Sequence, residues 1–229
     1  MSRLFQLLHL SRAFLILTRD PGRLDAIFGF VEDSYDPEMV EPVLEHMRAQ
    51  PRGALALIQR PRLGRVDLAE LGALPEGSLG RAFSEHMVSR GLDPAALPVL
   101  EGQSEDEYVL AHLYESHDVW HVVSGFDTDV KGELGLQAFN LAQFPGYVAL
   151  LILSAGLLNT LIFAKDEADA RMEEIARGWW LGRRVKSFLG APWADWWARP
   201  LAEVRADLGV PEPVQSVPGE LPELLLMEA

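Results

Sequence analysis

Residues capable of metal chemistry are concentrated near the middle of the chain. The run HDVWH at residues 117–121 contains His117, Asp118 and His121, and Glu133 follows after eleven further residues. If the run is helical, the two imidazoles lie on one face, because residues four apart are neighbours there, and the aspartate lies about 100° away. Glu133 would complete the set if a second helix packed beside the first. Two imidazoles and two carboxylates suit a divalent metal that keeps room for a water or a substrate.

Local signals predict the two helices that would position these side chains. The first begins at a capping box, SEDE at residues 104–107, in which a serine and a glutamate satisfy each other's backbone amides. Its pattern continues through the histidine pair to a short turn, SGFD at residues 124–127. A second helical pattern then carries Glu133, and such a short connection favours helices that are neighbours in space.

The surroundings of the motif are strongly acidic. Between Arg90 and Lys131 the chain has no lysine or arginine but nine carboxylates, which account for most of its formal net charge of −14. Such a concentration of negative charge attracts cations. The alternative is an acidic surface exposed to solvent, because two histidines at this spacing also arise by chance in a chain with six. The charge context favours the metal site.

Composition limits the classes of protein to which the chain can belong. With 229 residues, 48% of them hydrophobic and 24% charged, it is long and apolar enough for a globular fold of one or two domains. The absence of cysteine excludes disulfides, thiolate ligands and cysteine nucleophiles. The acidic balance argues against nucleic acid as a partner, since no long basic surface is available to bind phosphates.

The N-terminal segment, SRLFQLLHLSRAFLILTRD, does not have the pattern of a cleaved targeting sequence. Arg3 and Arg12 interrupt its apolar residues, and it has neither a small-residue cleavage site nor a Ser-rich, acid-free stretch. We therefore expect no signal peptide and a cytoplasmic location.

Helical periodicity along the rest of the chain predicts an all-α fold. Proline, serine and glycine mark helix ends, as at Pro37, Ser78 and Gly91. Before the motif, the predicted helices cover residues 3–18, 24–31 and 38–47, a short segment after Pro51, and the segment between Ser78 and Gly91. We expect a single multi-helix domain over residues 1–210 and a proline-rich, acidic tail over residues 211–229.

Polar residues recur on the second motif helix at Glu133, Gln137 and Asn140, at intervals of four and three residues. This spacing places them in one stripe on an otherwise apolar helix. If the stripe faces the metal, Gln137 and Asn140 line the site or support its ligands. Otherwise they face solvent, and the pattern alone leaves both arrangements open.

A long segment without charged residues follows, from residue 134 to residue 164. The break at Pro145-Gly146 leaves residues 146–164 as an apolar helix whose length borders on that of a membrane span. Its few polar residues and the adjoining acidic helix favour an apolar central helix buried in protein. The alternative is that its surface forms one wall of a groove for a long hydrocarbon ligand, with the polar motif at the mouth.

The C-terminal third combines tryptophan with basic residues. Five of the six tryptophans lie between residues 179 and 197, and no acidic residue lies between Ile175 and Ala194. Tryptophan prefers the headgroup level of a bilayer and cationic side chains are attracted to anionic lipid, so this composition favours a membrane surface. The alternative is that the tryptophans pack in the core or in a dimer interface. The basic residues concerned are Arg177, Arg183, Arg184 and Lys186.

The motif and three further segments resemble one protein family. HDVWHVVSGFDTDVKGE resembles the H-D-x-x-H pattern, followed by eleven residues and Glu, of the Coq4 proteins of ubiquinone (coenzyme Q) biosynthesis. The segments LPEGSLGRAFSEHM, ELGLQAFNLAQF and GRRVKSFLGAPWADWWARPLAEVRADLG also match, in the same order. The similarity spans roughly residues 70–210, and this ordered succession is more specific than any one segment.

The resemblance, to a bacterial-type member, implies an all-α homodimer that associates with the inner (cytoplasmic) membrane from its surface, without a transmembrane span. It also implies a metal held by His117, Asp118, His121 and Glu133, which are then the catalytic residues as well. Zinc is expected first, and iron, manganese and magnesium remain open, because imidazole favours transition metals whereas carboxylates also bind hard cations.

The family implies two functions for the chain. The first is metal-assisted oxidative decarboxylation at ring carbon 1 of a polyprenylated hydroxybenzoate, as in a 4-hydroxy-3-methoxy-5-polyprenylbenzoate decarboxylase, a lyase. The second is a non-catalytic scaffold that binds the prenylated intermediate and organises other ubiquinone biosynthesis enzymes. A phosphohydrolase of the HD type shares the His-Asp dipeptide, but its spacing does not match Glu133. No glycine-rich nucleotide fingerprint is present, so the sequence does not identify an oxidant.

One departure from the family pattern concerns the residues just before the His-Asp pair. Many members have arginines there, where this chain has His112 and Tyr114. We therefore expect this chain to differ from those members in how it recognises the substrate headgroup.

Overall fold

The computed structural model describes residues 3–21, 37–94 and 100–211. Within these ranges every regular element is a helix, so the predicted all-α fold is confirmed. The predicted helix over residues 24–31 and almost all of the predicted tail lie outside the described residues. The ten described α-helices are α1 (Arg3–Arg19), α2 (Pro37–Arg48), α3 (Pro51–Gln59), α4 (Leu68–Gly72), α5 (Leu79–Arg90), α6 (Glu105–Ser124), α7 (Val130–Gln143), α8 (Tyr147–Phe163), α9 (Ala168–Gly182) and α10 (Leu201–Leu208).

Capping signals in the sequence mark the observed helix ends. The Oγ of Ser78 accepts a hydrogen bond from the backbone N–H of Arg81 at 3.3 Å, and Gly91 caps the C-terminal end of α5. Ser104 and Glu107 form the predicted capping box of α6. The sequence does not predict α4, because five residues are too few to show a period. It also leaves α9 and α10 unassigned.

The main hydrophobic core is built around α6. Two consecutive residues of the HDVWH run, Val119 and Trp120, are fully buried. The Trp120 indole meets the rings of Phe139, Phe144 and Phe188 nearly edge-on, with centroids 6.4, 6.3 and 5.8 Å away. This aromatic cluster fixes the rotation of α6 about its axis, so the other three residues of the run face the opposite side of the helix.

Helices α7 and α9 pack with their backbones in contact. A Cβ atom added to Gly178 on α9 would lie 1.9 Å from the carbonyl oxygen of Gly135 on α7, and one added to Gly182 would lie 2.6 Å from that of Phe139. Only glycine leaves room for so close an approach. The contact fixes the position of α7, the helix whose first turn carries Glu133.

Helix α8 is buried on one face only. Ile152 and Ala155 cluster with Leu17 of α1, and Leu153 clusters with Leu134 of α7. The opposite face exposes Leu150, Leu157, Leu161, Ile162 and Phe163. No described helix is by itself long and apolar enough to span a membrane, and α8 with residues 165–182 meets that criterion only as a pair bent by 119°.

Polar side chains connect α8 to its neighbours. The Asn159 side chain donates to the backbone oxygen of Thr18 on α1 at 2.9 Å. Its carbonyl oxygen and the hydroxyl oxygen of Thr160 both accept from the buried guanidinium of Arg171 on α9, at 2.8 Å. Asn159 and Thr160 therefore lie within protein, as expected from their polarity, and their hydrogen bonds offset the cost of burying them.

Replacing Gly178 by alanine is expected to lower the free energy of unfolding by about 1–3 kcal/mol, because the added Cβ forces α9 away from α7. Chemical denaturation followed by circular dichroism measures the change. Ala176→Ser, on the exposed side of the same helix, is the control and should change stability by less than about 0.5 kcal/mol. Wild-type stability in the Gly178→Ala protein would contradict the backbone contact.

Candidate metal centre

Helix α6 presents three of the predicted ligands on one side. The Nε2 atoms of His117 and His121 are 3.2 Å apart. One ligand atom from each of His117, Asp118 and His121 lies within 4.8 Å of the others. His121 is fully buried, whereas His117 and Asp118 are partly exposed. The cluster therefore lies at the boundary between core and solvent, where a ligand can reach it.

Glu133 approaches the two imidazoles from α7. Its Oε1 lies 3.2 Å from His121 Nε2, and its Oε2 lies 3.6 Å from His117 Nε2. Glu133 thus contacts both histidines, although it lies outside the group of three whose ligand atoms are within 4.8 Å of one another. The expected side-by-side packing of α6 and α7 is wrong, however, because α7 packs mainly along α9. Glu133 reaches the histidines because it lies on the first turn of α7, directly after the connection from α6.

The connection between α6 and α7 orients His121. Gly125 ends α6 with a φ of 73°, a left-handed conformation that favours glycine. The next residue, Phe126, places its backbone oxygen 3.1 Å from His121 Nδ1. Since a carbonyl oxygen can only accept, this contact requires a proton on Nδ1, and it turns Nε2 toward the cluster.

Two arginines from distant helices hold this connection in place. The guanidinium of Arg177 on α9 lies 3.7 Å from the centroid of the Phe126 ring and donates to the carbonyl oxygens of Ser124 and Gly125 at 3.4 and 3.3 Å. Arg205 of α10 donates to two further carbonyl oxygens in the last turn of α6, at 2.9 and 3.0 Å. Cations here also complement the helix dipole. The sequence gives no sign of this role.

The charges in the cluster favour a cation. Burial disfavours the carboxylate of Glu133, but the adjacent His117 and His121 outweigh burial and hold its pKa below the usual range. Burial also disfavours charge on His117, yet contact with Glu133 and the charge of Asp118 raise its pKa. Glu133 Oε2 is buried without a hydrogen bond to any described residue. A divalent metal would stabilise this oxygen, and the chemistry of His117, Asp118 and His121 beside it fits such an ion.

Gln137 and Asn140 extend the polar stripe of Glu133 into the interior. They are only 5% and 8% exposed, and the side-chain nitrogen of Asn140 donates to the side-chain oxygen of Gln137 at 3.3 Å. The alternative that these residues face solvent is therefore wrong. Their burial depends on the packing around α7, which the spacing of three and four residues does not reveal.

His112 connects three segments of the chain and lies outside the cluster. Its Nε2 accepts a hydrogen bond from the backbone N–H of Gly190 at 3.0 Å, and its Nδ1 lies 3.2 Å from the backbone oxygen of Pro61. Burial lowers the pKa of His112 to about 4, so the ring is neutral near pH 7. Where the family resemblance suggested a contact with the substrate headgroup, His112 thus connects parts of the fold. Tyr114, on the same helix, is partly buried.

A further histidine, His86, lies beside the cluster and is not among the site residues that the sequence predicts. His86 of α5 stacks on the His121 ring, with centroids 6.1 Å apart and an angle of 24° between the planes. It lies on a different helix and has no metal-binding spacing to the motif. Only the packing of α5 on α6 brings it there, so no local signal could have identified it.

Comparison with known proteins identifies the family. A sequence model described as "Coenzyme Q (ubiquinone) biosynthesis protein Coq4" matches residues 3–214. The chain belongs to the Coq4 family. The mitochondrial ubiquinone biosynthesis protein COQ4 homolog of Bos taurus is 28% identical over 206 residues, which cover 87% of this chain and 76% of that one. The mitochondrial protein coq4 of Talaromyces stipitatus is 29% identical over 201 residues, covering 85% and 68%.

A solved structure shares the fold of this Coq4 protein. The crystal structure of a candidate ubiquinone biosynthesis protein from Nostoc punctiforme matches with a TM-score of 0.79 and 29% identity, covering 91% of this chain and 98% of that one. The resemblance seen in the HDVWH run is confirmed. The Coq4 match includes all four residues of the cluster, which favours it over the HD-type phosphohydrolase.

Replacing His121 or Glu133 by alanine is expected to abolish stoichiometric metal binding, because each change removes one of the converging donors. Elemental analysis measures the metal. Circular dichroism should show unchanged helicity, since helices packed on apolar faces do not depend on the ion. His46→Ala, at a half-buried histidine of α2 bonded to Gln50, is the control. Metal at the wild-type level in both cluster variants would contradict the assignment.

Proposed function

We propose that this Coq4 protein acts in ubiquinone (coenzyme Q) biosynthesis and catalyses metal-assisted oxidative decarboxylation at ring carbon 1 of a polyprenylated hydroxybenzoate. The family and the names of the relatives support the pathway. The observation that supports the reaction is the convergence of His117, Asp118, His121 and Glu133 at the edge of the core.

These four side chains would hold a divalent metal, with zinc proposed first and iron, manganese and magnesium also compatible with the donors. When bound, the ion would act as a Lewis acid toward the ring carboxylate or phenolate oxygens. The Asp118 and Glu133 carboxylates would neutralise it, while the Phe126 carbonyl keeps His121 oriented. The acidic surroundings would repel an anionic headgroup without the cation, so substrate binding should depend on the ion.

The proposed reaction exchanges a carbon–carbon bond for a carbon–oxygen bond at one ring position. An aryl carboxylic acid, dioxygen and water give a phenol, carbon dioxide and hydrogen peroxide, so dioxygen is the oxidant and accepts two electrons. The part of the protein in this scheme is to bind and orient the aromatic headgroup beside the core.

The polyprenyl tail of such a substrate requires an apolar surface. Each CH₂ group removed from water contributes about 0.8 kcal/mol, so the tail would supply much of the binding free energy. The exposed face of α8, with Leu157, Leu161 and Phe163, is our candidate for the surface that meets the tail and the membrane in which the tail dissolves.

The C-terminal end of α9 has the composition expected at a membrane surface. Arg183 lies over the Trp179 ring at 5.9 Å and Arg184 over the Trp180 ring at 4.6 Å. Arginine and tryptophan are both favoured at the level of the lipid headgroups in a bilayer. Trp193, in contrast, is buried in the core. Peripheral membrane association, homodimerisation and contact with other ubiquinone biosynthesis enzymes are parts of this proposal.

The alternative function is a non-catalytic scaffold that presents the prenylated intermediate to partner enzymes. The exposed apolar face of α8 favours it, because a face of this kind can bind a lipid or another protein. In this case the metal would only hold the headgroup.

Metal-loaded protein incubated with polyprenylated hydroxybenzoate and dioxygen is expected to form the decarboxylated, ring-hydroxylated product, measured by mass spectrometry. Glu133→Ala should lower the rate by about 100-fold or more, because it removes a metal ligand. Glu203→Ala, at an exposed glutamate of α10, is the control and should retain the rate. Lipid that co-purifies without any turnover would contradict the enzyme and support the scaffold.

Leu161→Glu and Phe163→Glu are expected to weaken co-sedimentation with phosphatidylcholine vesicles containing anionic phospholipid, each by roughly tenfold, because an apolar contact is lost. Both side chains are 63% exposed on α8. Ile58→Glu, at an exposed apolar residue of α3, is the control. Unchanged vesicle binding would contradict the membrane role of this face, and a simultaneous change in sedimentation mass would assign the face to a dimer.

A further inference from the structure

Helix α5 brings a histidine to the edge of the cluster without adding it to the ligand set. The His86 ring stacks on His121, with centroids 6.1 Å apart and 24° between the planes. The ligand atoms that lie within 4.8 Å of one another belong to His117, Asp118 and His121, and both Glu133 and His86 lie outside this group. Glu133 contacts both histidines through its carboxylate, whereas His86 packs its ring against His121.

The place of His86 is fixed at two points. Its ring is packed against His121. One helical turn further along α5, Arg90 pairs with Asp127 Oδ1 at 2.7 Å and donates to Thr128 Oγ1 at 3.1 Å. These contacts attach the end of α5 to the same connection that orients His121. These two contacts place His86 and the end of α5 against the cluster and the connection that follows it.

The unpaired atom of His86 is Nε2, which is buried and has no hydrogen bond to the described residues. Buried polar atoms normally have a partner. An imidazole Nε2 donates or accepts a hydrogen bond according to the tautomer.

We propose that His86 is a ligand-binding residue and that its Nε2 forms a hydrogen bond with a phenolic hydroxyl of an aromatic acid held at the cluster. The inference rests on the proposed function. Charge selects the hydroxyl: the Asp118 carboxylate lies in the same cluster as His121 and repels a second carboxylate, whereas a phenol can donate to or accept from Nε2 in either tautomer. The carboxylate of the same ligand is left to the cation.

Two probes and two variants test this role on metal-loaded, full-length protein. The probes are 3-prenyl-4-hydroxybenzoate and 3-prenylbenzoate, which lacks the hydroxyl, and titration calorimetry measures their Kd. His86→Phe keeps a planar ring against His121 but removes Nε2, and should weaken binding of the hydroxylated probe roughly 5- to 10-fold. Binding of 3-prenylbenzoate should stay within about twofold. His86→Gln, which retains a hydrogen-bonding end, should recover most of the loss.

The outcomes separate this inference from the proposed function. Equal effects on both probes, or no effect on either, overturn the role of His86 and leave the proposed function standing. Loss of metal in His86→Phe also overturns it, because the residue would then support the ion instead of the ligand. Wild-type protein that binds neither probe overturns both proposals. His46→Phe, at a half-buried histidine of α2, is the matched control and should bind both probes as the wild type does.

Discussion

A buried carboxylate facing two imidazoles is the interaction on which the rest of this structure depends. Glu133 lies 3.2 Å from His121 Nε2 and 3.6 Å from His117 Nε2, at a depth that would disfavour an isolated charge. The imidazoles keep the carboxylate ionised, and its unbonded Oε2 leaves a negative site inside the protein. We propose that a cation binds at this contact, which the surrounding helices maintain.

Packing that is distant from the chemistry maintains the contact. Trp120 fixes the rotation of α6 because its indole is enclosed by aromatic rings. Gly178 lets α9 and α7 meet backbone to backbone, which sets the depth of Glu133. Arg177 holds the connection between the two motif helices through Phe126 and the last carbonyl groups of α6. Each of these residues acts through another. Trp120 belongs to the motif itself, whereas Arg177 and Gly178 lie too far along the chain to form a recognisable pattern with it.

The sequence predicted the features that depend on neighbouring residues. The capping box of α6, the turn after it and the HDVWH run with Glu133 all follow from short spacing, and the structure has them where they were predicted. It did not predict features that depend on contacts between distant segments. The position of His86 depends on how α5 packs, the burial of Gln137 depends on the helices around α7, and the role of His112 depends on contacts with Pro61 and Gly190.

X-ray absorption spectroscopy of the zinc-loaded protein tests the central claim most directly, because it reports the atoms around the ion. The account predicts a mixed shell of nitrogen and oxygen at about 2.0–2.2 Å, with the multiple-scattering signature of two imidazoles. His121→Ala should remove that signature in part or release the ion. A shell made only of oxygen, or two imidazoles that persist in His121→Ala, would contradict it.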